Sequence, residues 1–266
     1  MTKTRPSSPT GRKRRARRPK ENLKQTSGNG RRSRPLIQVV IFDLDDTLYD
    51  CFGQRVRAAH YQAARAMARA GVPGTARAIH RVRMRAFERD PRLEPIDREV
   101  CRHFGVPFRA RLHQAARRAF FQTPVGRLHL FPGVRAMLRT LQRRGVRIFI
   151  ASYGHPATQH AKVSSLGLDH EPAVERIFFA DTNKVVTKEQ LFDRLVRTVD
   201  TNPRRFLVVG DRPSSEIRAG NRHGMHTVRV RHGEFKRLNP ESREETADFE
   251  IRRVTEILKL PFRFGA

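Results

Sequence analysis

Cysteine, long apolar runs and acidic residues are all scarce in this 266-residue chain. Two cysteines, Cys51 and Cys101, cannot by themselves build a disulfide framework or a metal cluster, so a reducing cytoplasm is the expected compartment. The longest hydrophobic stretches are strand-length, far below the roughly 20 residues that cross a bilayer, and no membrane span is expected. The basic N-terminus lacks the apolar segment of a secretory signal. With only Leu23 and Leu36 as large apolar residues, it would also make a poor amphipathic transit helix. Acids are outnumbered, 26 Asp+Glu against 55 Lys+Arg, for a net charge of +29.

That excess is uneven. Residues 1–35 hold 13 Lys/Arg and one acid, Glu21, among Pro, Ser and Gly, a composition that cannot bury enough apolar surface to fold. The segment reads as a disordered basic arm. Such an arm would hold nucleic acid non-specifically through phosphate contacts, in a salt-dependent way, and it has no aromatic residue to stack on bases. A plain solvated tail fits the composition as well.

What the rest contains is organised around residues 39–50, Val-Val-Ile-Phe-Asp-Leu-Asp-Asp-Thr-Leu-Tyr-Asp. The β-branched apolar run predicts a buried strand, and it ends in carboxylates that no core accepts unpaired. If the chain stays extended past Phe42, the period of two puts Asp43, Asp45 and Thr47 on one side. The carboxyl ends of strands are where open α/β sheets bind ligands.

From Cys51 to Leu128 no strand pattern appears. Helical spacing over residues 54–70, 75–89, 97–104 and 108–122, broken by Gly71, Pro73, Pro91, Pro95, Gly105 and Pro107, predicts a four-helix insertion. Strands then alternate with helices: helix 134–144, strand 146–151 running into Ser152-Tyr153-Gly154, helix 156–166, and strand 176–180. Helix 187–198, strand 206–209 running into Gly210-Asp211, helix 215–224 and strand 226–230 follow, with a short strand at 249–251 and a helical turn at 254–260. The alternation predicts a parallel sheet.

Asp43-x-Asp45-x-Thr47-Leu48 after a hydrophobic strand resembles the first motif of the haloacid dehalogenase (HAD) superfamily of phosphohydrolases. Ser152 at its strand end, a lysine at the start of the helix after strand three, and Gly210-Asp211 with Glu216 five residues on resemble the other three motifs, in order. The resemblance covers roughly Leu36 to Leu260. It implies a Rossmann-like three-layer α/β/α fold with a parallel sheet in the order 3-2-1-4-5. The core would be residues 36–50 and 129–266, with residues 51–128 an inserted α-helical cap that closes over the site and chooses the substrate.

The resemblance also implies roles. Asp43 would be the nucleophile that forms an aspartyl-phosphate, and Asp45 the acid and base for leaving oxygen and water. Dehalogenases proper lack an Asp at the place of Asp45, so a phosphate ester is implied rather than a carbon–halogen bond. Ser152, Tyr153 and Lys188 would bind the phosphate, with Lys188 preferred to Lys184 because it directly precedes the helix. Lys188 would also keep Asp43 ionised. Mg²⁺ would sit on Asp43, the Asp45 carbonyl, Asp211 and Glu216, where Glu replaces the Asp of many relatives. The implied function is Mg²⁺-dependent hydrolysis of a small phosphorylated metabolite. A phosphomutase or phosphotransferase using the same intermediate, and a nucleic-acid-associated protein acting through the arm, are the alternatives. The arginines at 55, 57, 65, 69, 81, 83 and 85 either meet an anionic substrate or form a solvated helix face. Nothing in the sequence indicates an oligomeric state.

Overall fold

The computed structural model describes residues 34–181 and 187–266. The basic arm to residue 33 and Lys184 lie outside the described residues. Six strands form one parallel sheet: β1 (Val39–Phe42), β2 (Arg147–Gly154), β3 (Arg176–Asp181), β4 (Phe206–Gly210), β5 (His226–Val230) and β6 (Phe249–Ile251). Their order is β3-β2-β1-β4-β5-β6, the expected 3-2-1-4-5 extended at one edge by the short last strand.

All four residues of β1 are buried, which is why the strand reads as an unbroken apolar run. Val40 and Phe42 face one hydrophobic cluster with Leu138, Leu141 and Val163. Val39 and Ile41 face a second cluster with Leu191, Phe192 and Leu195. Helices α5 (Val134–Arg143) and α6 (Pro156–Ser165) therefore cover one face, and α7 (Lys188–Val199) and α8 (Arg218–Arg222) the other. This is a three-layer α/β/α arrangement with β1 at its centre. Outside the sheet, Leu36–Ile37 pairs in parallel with Arg263–Phe264, tying the last residues back to the start of the core.

The insertion follows β1. A one-turn π-helix (Phe52–Val56) leads into α1 (Arg57–Arg69), then α2 (Ala76–Phe87), α3 (Leu93–His103) and α4 (Ala110–Phe121). These share a small core of their own, with Ala63, Ala64 and Met67 against Ile79, Val82, Val100, Leu112 and Ala116. Where the insertion leaves and rejoins the sheet the chain is clasped. Tyr49 and Leu130 form an antiparallel bridge, Phe131 N donates to Leu48 O at 2.9 Å, and Gln54 and His129 exchange two hydrogen bonds of 2.8 and 2.9 Å.

Three expectations are corrected. Helix α3 begins at Leu93 rather than at Asp97 and runs through Pro95, because a proline in the first turn gives up an N–H that has no partner there anyway. The expected helix 215–224 is a π-turn (Pro213–Ile217) leading into the short α8. The chain does not stay extended past Phe42: Asp46 takes a left-handed φ of 55° and Leu48 N donates back to Leu44 O at 3.0 Å. Thr47 is thereby turned into the interior, fully buried, with no hydrogen-bond partner for its hydroxyl among the described residues.

One buried ion pair anchors the insertion. Arg83 donates to Asp97, which also receives His113 Nδ1 at 2.7 Å, and both Arg83 and Asp97 are wholly buried. Removing one partner strands the other charge in an apolar core. Asp97→Ala is expected to lower unfolding stability by about 3–5 kcal/mol, read from urea unfolding curves. A change below about 1 kcal/mol would show that the pair does not hold the helices together.

Candidate active site

The carboxyl ends of β1 and β4 and the amino end of α7 meet at one point. Asp43 continues the ladder, its N–H donating to Val209 O at 2.8 Å, so its side chain leaves the sheet at a defined height. Lys188 is the first residue of α7. Thr187 accepts from Gln190 N while Gln190 Oε1 accepts from Thr187 N, a capping box that fixes where the helix starts and where Lys188 points. Glu216 is carried on the π-turn, with its Oε1 accepting from Arg212 N at 3.0 Å. A β-carbon at position 210 would collide with the Glu216 side chain, so Gly210 is what lets that carboxylate lie over the strand end.

Asp43, Asp211 and Glu216 are all buried, each offering an oxygen within 4.8 Å of the others. Lys188 Nζ donates to Asp43 Oδ1 and, at 2.9 Å, to Glu216 Oε2. One ammonium cannot balance three carboxylates. Burial, reinforced by Glu216 and Asp45 and opposed by Lys188, pushes Asp43 up to about 7. Burial and the neighbouring carboxylates drive Asp211 well above the usual range. Burial would raise Glu216 too, but Lys188 and the Arg212 N–H outweigh it and hold Glu216 low. A compact set of hard oxygen donors with surplus negative charge suits a divalent cation of the Mg²⁺ type.

Asp45 is held apart from this trio. Its Oδ2 receives Lys162 Nζ at 2.6 Å and Gln159 Nε2 at 3.4 Å, and its Oδ1 receives the Tyr49 hydroxyl at 2.7 Å. Burial raises its pKa, yet the Lys162 ammonium and the three donors win and hold it below the ordinary carboxylate value. Gln159 also donates to Ser152 Oγ at 2.5 Å and to Tyr153 O at 3.0 Å. The Ser152 hydroxyl is thus buried behind Gln159, its own proton free to donate, while the Tyr153 side chain stands half exposed at the mouth.

These groups line a cavity of about 250 Å³ that includes Asp43, Asp45, Lys162, Lys188, Asp211 and Glu216. The insertion contributes Arg55, Val56 and Phe120 to its wall. A wider groove of about 700 Å³ between residues 127–136 and 164–167 holds no carboxylate and no lysine. Asp46 and Asp50 act as backbone caps: Asp46 accepts from Phe52 N and Glu234 N at 2.9 and 3.2 Å, and Asp50 from Gly53 N at 2.7 Å.

The sequence-derived set of Asp43, Asp45, Lys188, Asp211 and Glu216 therefore converges, Ser152 lies just behind it, and Thr47 does not join. Sequence reasoning missed Lys162 and Gln159, and it named Arg55 only as one of seven arginines without separating it from the rest. Gln159 and Lys162 are three residues apart on α6, on the helix face that turns toward β1. Arg55 stands four residues before the buried Ala59, in line with the apolar stripe of α1. Of the other six arginines singled out, Arg83 is locked onto Asp97, and Arg57, Arg65, Arg69, Arg81 and Arg85 are exposed.

Residues 37–224 match the family of haloacid dehalogenase-like hydrolases. The chain belongs to that family. A glyceraldehyde 3-phosphate phosphatase of Methanopyrus kandleri is 29% identical over 237 residues, taking in 84% of this chain and 96% of that protein. Two solved structures share the fold. One is a Haemophilus somnus protein predicted to be a phosphoglycolate phosphatase, with a TM-score of 0.63, 15% identity, 84% of this chain and 97% of that one covered. The other is a HAD hydrolase of Bacillus subtilis bound to magnesium, with a TM-score of 0.57, 22% identity, 85% of this chain and 98% of that one covered. No helix of the described residues is long and apolar enough to cross a membrane.

The raised Asp43 has a measurable consequence for this HAD hydrolase. Its folded value of about 7 lies above the 3.8 of an unperturbed Asp, so the folded state retains the proton that the unfolded chain has already released. Stability is therefore lost as pH rises from about 4 to about 7. Without divalent cation, Asp43→Asn is expected to exceed the parent in stability at pH 8 by on the order of 1–3 kcal/mol and to match it near pH 4. Chemical denaturation at the two pH values checks this; equal differences at both would contradict it.

Proposed function

We propose that this HAD hydrolase is a Mg²⁺-dependent phosphomonoesterase that acts on a small phosphate ester through an aspartyl-phosphate on Asp43. The observation that carries the reading is the division of labour between two buried carboxylates at one strand end. Asp43 is bonded to Lys188 beside Asp211 and Glu216, whereas Asp45 is bonded to three donors of its own. Carboxylates in different surroundings are what a nucleophile and a proton-transfer group require. The similarity to a glyceraldehyde 3-phosphate phosphatase supports a short phosphorylated metabolite.

In the first step an Asp43 carboxylate oxygen attacks phosphorus and the bond to the ester oxygen breaks. That oxygen leaves with the electron pair and takes a proton from Asp45, giving the free alcohol. Lys162, 2.6 Å away, holds Asp45 ionised in the resting site, so the proton that Asp45 passes on arrives with the substrate, bound as the phosphate ester's monoanion. In the second step Asp45 takes a proton from water, whose oxygen attacks phosphorus, breaks the bond to Asp43 and releases inorganic phosphate. Lys188 offsets charge on the transferring group, and Ser152, oriented by Gln159, donates its hydroxyl proton toward a phosphoryl oxygen. A divalent cation held by Asp43, Asp211, Glu216 and the Asp45 carbonyl would offset the repulsion between the phosphate dianion and its carboxylate attacker.

The four helices act as a cap in this reading. Residues 51–128 form it, residues 36–50 and 129–266 form the catalytic core, and the cap supplies Arg55, Val56 and Phe120 to the wall that the organic part of the substrate meets.

Phosphate release from a panel of short phosphate esters is expected with Mg²⁺ and not with chelator, and Asp43→Asn should reduce it by about 10⁴-fold or more. Hydrolysis that survives in the variant would dismiss Asp43 as nucleophile, and an isomeric ester appearing in place of phosphate would mark a mutase. Lys162→Gln should lower kcat by about 10²-fold, as misplacing the proton-transfer carboxylate Asp45 does, with KM changed little. Steady-state kinetics showing an unaltered kcat would reduce Lys162 to a structural role.

A further inference from the structure

Three buried cations reach the cavity, and only two of them have acids to answer them among the described residues. Lys188 is paired with Asp43 and Glu216, and Lys162 with Asp45. Arg55 is just as buried, at 6% exposure, yet among the described residues no carboxylate lies within ion-pair distance of it and its Nε has no hydrogen-bond partner. The guanidinium thus faces the cavity with no protein counter-charge among the described residues, a position that favours the arrival of an anion.

The place of Arg55 indicates which charge that is. It projects from the π-turn at the root of the insertion into the wall shared with Val56 and Phe120. It is near enough to Lys162 for the two positive charges to oppose one another, which puts it toward Asp45 and the departing alcohol. The phosphoryl end already has Lys188. A cavity of about 250 Å³ is smaller than the roughly 300–1,000 Å³ of drug-sized sites, so the organic part is short. The planar fork of a guanidinium matches a carboxylate with two parallel hydrogen bonds.

We propose that Arg55 determines specificity by binding a carboxylate on the leaving-group side of the cavity, so that the substrate is a short phosphorylated carboxylic acid. This rests on the phosphomonoesterase reading and narrows it. The anion fills the unmatched charge, fixes the ester oxygen relative to Asp45, and sets an acid apart from the corresponding aldehyde or alcohol.

The test compares 3-phosphoglycerate with glyceraldehyde 3-phosphate, and phosphoglycolate with glycerol 3-phosphate, in the full chain with Mg²⁺. The parent is expected to favour the carboxylated member of each pair in kcat/KM. Arg55→Gln should cut that preference about ten- to a hundredfold, mainly through KM, the scale of a lost charge-assisted contact. Arg55→Lys, which keeps the charge but not the fork, should recover part of it and serves where Arg55→Gln folds poorly. A parent preference for the uncharged esters, or one that survives both substitutions, overturns the assignment. Preference for a bisphosphate over both pairs would make the second anion a phosphate and overturn it equally. No phosphate released from any ester would instead be a failure of the phosphatase reading itself, distinct from equal release from both members of a pair.

Discussion

The ammonium of Lys188, lodged between Asp43 and Glu216, is the contact on which the rest of the architecture depends. It joins three separate pieces of chain: the end of β1, the start of α7 and the π-turn after β4. Each piece has its own local reason for standing there. The ladder bond from Asp43 to Val209 sets one, the capping box at Thr187 the second, and the absence of a side chain at Gly210 the third. The ammonium leaves a deficit of positive charge among the carboxylates, and that deficit is what a divalent ion would fill.

Much of this was legible because strand ends announce themselves. An apolar run such as Val39–Phe42 can be buried on both faces only in a covered parallel sheet, and carboxylates placed directly after it must face something. Asp43 and Asp45 were found by that logic, whereas Lys188, Asp211 and Glu216 came from the resemblance to the later HAD motifs. Thr47 was misplaced because period-two reasoning assumes an extended chain, and the left-handed Asp46 breaks it one residue earlier. Lys162 and Gln159 escaped because a helix in the middle of an α/β chain shows several polar residues, and nothing local says which turn back toward the sheet. Arg55 was among the candidates but could not be told from the other arginines. In an arginine-rich insertion its neighbours Arg57 and Arg65 look identical to it, and only the phase of the buried Ala59 and Ala63 separates inward from outward.

The insertion uses buried charge in two opposite ways. Arg83, Asp97 and His113 form a closed network that fixes how α2, α3 and α4 pack, and every charge in it is answered. Arg55 is left open at the edge nearest the sheet. The Arg83–Asp97 pair fixes the helices against one another, although Arg83 Nε and His60 Nε2 inside the insertion keep no partner among the described residues.

The clasp at Tyr49 and Leu130 makes that separation topological as well. Both crossings between sheet and helices run through adjacent residues, so the excursion begins and ends at one spot on the scaffold. A different loop or bundle spliced between those two residues would leave the strand pairing of β1 and β2 intact. In the proposed reading, chemistry and choice of molecule are thus independently exchangeable parts, and variation within the helices would retune recognition without disturbing the apparatus that breaks the bond.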